Sequence, residues 1–245
     1  VDEIVGRRDV LRDSRVMALR TDRRGVLWIG TMTNGLQSLD KDGRLTSIPV
    51  QPLAPRSLSA AGIMTIYEAR NGLLWIGTHG GGANVLDPAT GEVRQLPFGG
   101  ERGAVSGANV SAFAEDAHGN VWIATDGAGL NLARPDGSVV RSFRHDPRDP
   151  TSLSSDTIYA LAADGEGRVW VGTDDAGLDL VVGSSAQPDS IRFDNFSRTE
   201  GLSSDTIYGI VPDASGSVWL SGNAGLMRLD PRTRAVKTFH REHGL

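Results

Sequence analysis

Cysteine is absent from the 245 residues, which removes disulfides, thiolate metal sites and cysteine nucleophiles together. The compartment stays open, because cysteine-free domains occur on both sides of a membrane. No run of Lys or Arg forms a stripe, and the formal net charge is −5, so the chain lacks the electrostatic footprint of a nucleic-acid partner. No apolar stretch approaches the ~18–20 residues that cross a membrane; membrane attachment would come only through segments outside this chain. A 3.6-residue apolar period of useful length is also missing, and glycines interrupt the sequence about every ten residues, which excludes a helical solenoid.

What is present is repetition. The five tryptophans, Trp28, Trp75, Trp122, Trp170 and Trp219, are spaced 47, 47, 48 and 49 residues apart. Each sits in one five-residue run: Leu27-Trp-Ile-Gly-Thr31, Leu74-Trp-Ile-Gly-Thr78, Val121-Trp-Ile-Ala-Thr125, Val169-Trp-Val-Gly-Thr173 and Val218-Trp-Leu-Ser-Gly222. A fixed period in this range marks a propeller, solenoid or array. Aligned on Trp, an opening Leu or Val recurs at Leu11, Leu58, Val105, Leu153 and Leu202. A glycine stands three residues before each Trp. An Asp stands six before in four copies, Asp22, Asp116, Asp164 and Asp213, with Ala69 in the second. Most of the 31 glycines fall at fixed places in the repeat, as turn residues do.

Each unit reads as four strands. The first is short and apolar: Val16–Leu19, Ile63–Ile66, Val110–Phe113, Ile158–Leu161 and Ile207–Ile210. Asp-x-x-Gly forms a hairpin turn, with Asp bonding its own backbone and Gly taking positive φ. The Trp strand is second. A small polar loop leads to a third strand, such as Leu36–Leu39 or Leu226–Leu229, and a further turn to a more polar fourth, such as Glu92–Leu96 or Val139–Phe143. Four antiparallel strands per repeat make a propeller blade. Neighbouring blades cover both faces, so the inner strands are apolar on successive residues, and Trp is the wedge between blades. The expected fold is all-β: a β-propeller of four-stranded antiparallel blades, with repeats at about 11–57, 58–104, 105–152, 153–201 and 202–245. Residues 1–10 align with the last fourth strand and read as the outer strand of a preceding blade. That doubled strand, with Val1 at the start in place of an initiator Met, predicts five blades of a larger ring of about seven rather than a closed ring of five.

The repeat resembles the two-component regulator propeller repeat. Leu153-Ser-Ser-Asp-Thr-Ile158, followed by Asp164 to Thr173 and Gly177-Leu178, carries nearly its whole pattern, and so does Leu202-Ser-Ser-Asp-Thr-Ile207 with Asp213 to Trp219. Ala69, Ala124 and Ser221-Gly222 depart from it locally. The resemblance implies a periplasmic, ligand-sensing domain of a membrane-bound bacterial signalling protein. Such a protein passes binding to a cytoplasmic histidine kinase or diguanylate cyclase (GGDEF) output and acts as a homodimer in its full-length form. The expected partner is a small molecule or oligosaccharide.

The candidate site residues lie where the copies disagree. After each Gly-Thr stand Met32-Thr-Asn34, His79-Gly-Gly81, Asp126-Gly-Ala128, Asp174-Asp-Ala176 and Asn223-Ala224. The invariant fold does not dictate these residues, although Asn, Asp and Gly also suit plain turns. From this set Asn34, His79, Asp126, Asp174 and Asn223 are the expected ligand contacts. The loops leading into the blades add Arg56 and Arg148, and the first strands add Tyr159 and Tyr208, which would otherwise fill space between blades. Catalysis requires one special constellation, not a repeated one, so no catalytic residue is expected. The Asp-x-x-Gly-x-x-Trp run, which faintly resembles the Asp-box of sialidase propellers, is read as turn-making. The five histidines show no metal spacing, and no cofactor is expected: Gly80-Gly81-Gly82 opens no helix. Two alternatives are a propeller enzyme acting on a glycan, a lyase or glycosidase using His79 with Asp126 or Asp174, and a protein-interaction platform.

Overall fold

A computed structural model describes residues 15–54 and 56–239. Its twenty strands form five separate four-stranded antiparallel sheets, each in sequence order. The first blade holds β1 (Val16–Thr21), β2 (Leu27–Thr31), β3 (Leu36–Leu39) and β4 (Leu45–Ser47). The second holds β5 (Gly62–Glu68), β6 (Leu74–His79), β7 (Ala83–Asp87) and β8 (Glu92–Gln95). The third is β9 (Val110–Glu115), β10 (Val121–Thr125), β11 (Gly129–Ala133) and β12 (Val139–Phe143). The fourth is β13 (Ile158–Ala163), β14 (Val169–Thr173), β15 (Leu178–Val182) and β16 (Arg192–Phe196), and the fifth β17 (Ile207–Pro212), β18 (Val218–Gly222), β19 (Gly225–Leu229) and β20 (Val236–Phe239). The outer strand expected in residues 1–10 lies outside the described residues.

The chain divides into two units. One runs to Phe98 and includes Ala108–Val110; the other comprises Gly99–Gly107 and the chain from Ser111. In the first unit Trp28 is buried with Leu58, Ile63, Leu74 and Leu86, side chains from the first two blades and the connection between them. In the second unit Trp122 lies with Leu153, Ile158, Val169 and Phe193, and Trp170 with Leu202, Ile207, Val218 and Leu220. In each case the tryptophan of one blade is covered by the opening leucine and inner strands of the next. The glycine after it serves the same contact: a Cβ on Gly30 would stand 2.6 Å from Ile63 Cγ2, and one on Gly172 would stand 2.8 Å from Ile207 Cγ2. The inner strands are not all covered, however. Leu19 of β1 is 63% exposed and Val211 of β17 is 64% exposed.

The Asp-x-x-Gly turns do more than reverse the chain. Asp116 Oδ1 accepts from the His118 and Asn120 N–H groups at 2.9 and 3.0 Å, while Oδ2 accepts from the indole Nε1 of Trp122 at 3.1 Å. Asp22, Asp164 and Asp213 do the same for Trp28, Trp170 and Trp219. One carboxylate thus fixes the turn and fills the only polar need of the wedge. At Asp164, burial pushes the carboxyl up, but the Trp170 indole and Arg168 outweigh it and hold it below the ordinary value. Asp213 is held down to about 2, by the Ser215 hydroxyl first and the Trp219 indole next. Replacing Asp116 by alanine strands three donors; we expect a loss of roughly 1–3 kcal/mol in urea unfolding. Unchanged stability would reduce the Asp to a turn residue only.

Candidate functional site

The loop after each Trp strand is closed by the threonine that ends it. Thr125 Oγ1 donates to the Gly129 carbonyl at 2.6 Å and Thr173 Oγ1 to Gly177 at 2.8 Å; Thr173 Oγ1 also accepts from Ala176 N–H. These threonines are fully buried. The hydroxyl adds to the backbone bond, since Thr173 N–H donates to the same Gly177 carbonyl at 3.0 Å, so the residues between are free to vary in chemistry while the backbone stays fixed. The fifth blade has Gly222 there. Its shorter loop is tied down instead by Ser204 Oγ, which accepts from Asn223 N–H at 3.2 Å.

The inner strands contribute a β-bulge. Pairing with the Trp strand skips one residue between Val16 and Ala18, Ile63 and Thr65, Ile158 and Ala160, and Ile207 and Gly209. The extra residues are Met17, Met64, Tyr159 and Tyr208. A bulge re-aims a side chain away from the regular alternation, and in the second unit it brings two tyrosines together. Their rings are nearly parallel, 17° apart, with centroids at 5.6 Å. Tyr208 donates its hydroxyl to Asn223 Oδ1 at 3.0 Å. Tyr159 donates to the Asp174 carboxylate; this bond first, then burial and the charges of Asp174 and Asp126, raises its phenol above the ordinary value. Tyr208 remains 56% exposed. Asp126, Tyr159, Asp174, Tyr208 and Asn223 therefore form one patch.

Of the other expected contacts, Asn34, His79 and Arg56 belong to the first unit and Arg148 to the second. Asn34 N–H donates to Thr31 Oγ1 and His79 ends β6 opposite Gly62. Arg56 pairs with Glu92 at 3.1 Å. Glu92 faces Asp87 at the far end of β7, so this guanidinium stands at the opposite end of its sheet from the His79 loop. Arg148 N–H donates to Asp146, and the same loop meets the start of β16, where Phe193 N–H donates to Thr151. That is again the end remote from Asp174. A cavity of about 310 Å³ in the first unit is lined by Arg23, Arg24, Glu68 and Asp87. Arg23 N–H donates to Glu68, Arg23 Nη1 to the Arg70 carbonyl and Arg24 Nη1 to that of Pro88, so its polar walls serve to join the turns of the first two blades.

A buried anchor holds the patch from behind. Ser154 N–H and Oγ donate to Asp179 Oδ2 at 3.0 and 2.8 Å, and Asn195 Nδ2 donates to Oδ1 at 3.1 Å. The Ser154–Thr157 segment leads directly into Tyr159, and the Thr157 carbonyl accepts from Asp174 N–H at 3.1 Å. In the second and third blades the same place is held by Asn84 with Ser59 and Asn131 with Ser106, at the same separation of 25 residues. Only the fourth blade uses a carboxyl. Burial pushes it up to about 6, against the opposing hydrogen bonds of Ser154 and Asn195 and the charge of His145. Among the described residues no group of acidic and histidine side chains is arranged to hold a metal ion.

Five sheets of four antiparallel strands with a Trp wedge define a β-propeller. A family model for the two component regulator propeller matches residues 10–33, 57–80, 104–127 and 152–175. These four stretches are repeats of that family. No curated protein matches the sequence. Among solved structures, the extracellular domain of a hybrid two component system from B. thetaiotaomicron is 26% identical with a TM-score of 0.76; the alignment covers 96% of this chain and 29% of that one. The extracellular domain of a one component system from the same organism is 20% identical with a TM-score of 0.55, over 93% of this chain and 38% of that one. Virginiamycin B lyase from Staphylococcus aureus shares the fold at 13% identity and a TM-score of 0.70, over 93% and 70%. The chain thus spans about 29% of the first of these. No described helix is long and apolar enough to cross a membrane.

Proposed function

We propose that the chain is an extracytoplasmic sensing domain of a membrane-bound bacterial signalling protein, binding a small polar ligand without turning it over. Binding would pass to a cytoplasmic kinase or cyclase output. The observation that carries this reading is the patch itself: three loop residues that the repeated fold leaves free, Asp126, Asp174 and Asn223, converge on two bulged, stacked tyrosines. The repeat family, and extracellular domains of two-component systems among its structural relatives, support it.

A thermal-shift screen across small metabolites and oligosaccharides tests the proposal. A ligand that binds only the folded state at a hundredfold over its Kd adds about 2.7 kcal/mol of apparent stability. We expect such a shift to disappear in Tyr159→Ala. A shift that survives this substitution would move the site elsewhere, and a panel without shifts would favour a surface that binds another protein.

A further inference from the structure

Deepening the ligand-sensing reading, on which it rests, we infer that the Tyr159–Tyr208 patch takes a cationic, ammonium-bearing small molecule in preference to a neutral sugar. The first ground is the platform. The bulges turn two parallel rings to one side, and Tyr208 is more than half exposed. Both phenol hydrogens are committed, to Asp174 and to Asn223. The negative face of an exposed aromatic ring attracts a cation.

The second ground is charge. The loops that frame the patch are Thr125–Gly129, Thr173–Gly177 and Gly222–Gly225, with the segments 105–107, 154–157 and 202–206 leading toward the three blades. They contain no Lys or Arg, and they carry Asp126, Asp156, Asp174, Asp175 and Asp205. Asp156 is paired with Arg144, as Asp189 is with Arg141 and Asp194 with Arg234. Asp126 and Asp174 form no ion pair among the described residues, yet both act on Tyr159. A neutral ligand laid over the rings would desolvate these carboxylates without compensation, which is costly. A cation satisfies the carboxylates and the ring faces together.

Choline and its uncharged isostere 3,3-dimethylbutan-1-ol separate the two cases, with maltose as a neutral saccharide. Calorimetric titration of the protein at low ionic strength is expected to show choline binding at least about tenfold more tightly than the isostere. Tyr208→Ala and Asp174→Asn should each remove most of that preference. Tyr208→Phe should retain it, because the ring face remains. Each variant is melted without ligand to establish that it folds. Equal binding of choline and the isostere, or failure of choline to bind, overturns the cation inference. If maltose binds instead and depends on Tyr208, the cation inference falls while the sensing reading stands. The sensing reading fails separately, when the wide panel yields no ligand at all.

Discussion

Trp170→Ala is expected to lower stability by about 3–5 kcal/mol, the cost of emptying a large aromatic site in a core, and to lower the melting temperature by on the order of 10 °C. Trp170 is 0% exposed and lies with Leu202, Ile207, Val218, Leu220 and Met227, all from the fifth blade or its lead-in. Its ring contacts Phe196 at 5.9 Å and its indole N–H donates to Asp164 at 2.9 Å. Alanine would open a cavity between two blades and strand a partly buried carboxylate. The informative comparison is Trp219→Ala. Trp219 occupies the same slot, donates to Asp213 at 2.9 Å and stacks on Phe239 at 5.3 Å, but it is only partly buried. The two substitutions remove the same side chain and the same hydrogen bond. The difference between them therefore reads the cover supplied by the following blade. Equal losses in calorimetric melts would mean that Trp stabilises its own sheet and not the junction.

That comparison also shows what could be read before the structure. The Trp run, the Asp turn and the four-strand unit were legible because each is stated several times, and a feature required by every blade is required by the fold. Two relations inside the repeat carry a further signal. Asp and Trp stand six residues apart wherever both occur, as bonded partners would, and a Ser–Asn or Ser–Asp pair recurs at a separation of 25. The bulge left no such mark. Met17, Met64, Tyr159 and Tyr208 share a position but no chemistry, so the tyrosines read equally well as space-fillers. Arg56 and Arg148 precede the inner strands, so sequence order alone suggests that they share the loop face. Their loops first run along the outer strand of the next blade, to the far end of its sheet, and only then return. Adjacency in sequence could not reveal that detour.

Asp179→Asn is expected to stabilise the protein at neutral pH, against the usual direction of a core substitution. The carboxyl is fully buried and its pKa is raised from 3.8 to about 6. Between these values the folded state holds a proton that the unfolded state has lost. Stability from this group is therefore complete below the unfolded value and declines as pH rises through about 6. At about 1.4 kcal/mol per pH unit, the decline amounts to roughly 3 kcal/mol by neutrality. Asparagine carries no charge to bury, and Asn84 shows how it fits: Oδ1 accepts from Ser59 N–H at 3.0 Å while Nδ2 donates to Ser59 Oγ at 2.9 Å. Asn195 would lose its bond to position 179 but keep the Ala176 carbonyl at 2.8 Å. A hydrogen bond is worth about 1 kcal/mol net, which leaves a gain of roughly 1–2 kcal/mol at pH 7.5 and none at pH 4.5. Urea unfolding of both proteins at the two pH values measures it. A gain of equal size at both would mean that Asp179 does not titrate in this range. Because Asp179 holds the segment that leads into Tyr159, the same experiment bears on the patch. If the anchor sets the order of that segment, ligand binding by the parent protein should vary with pH around 6, and binding by Asp179→Asn should not.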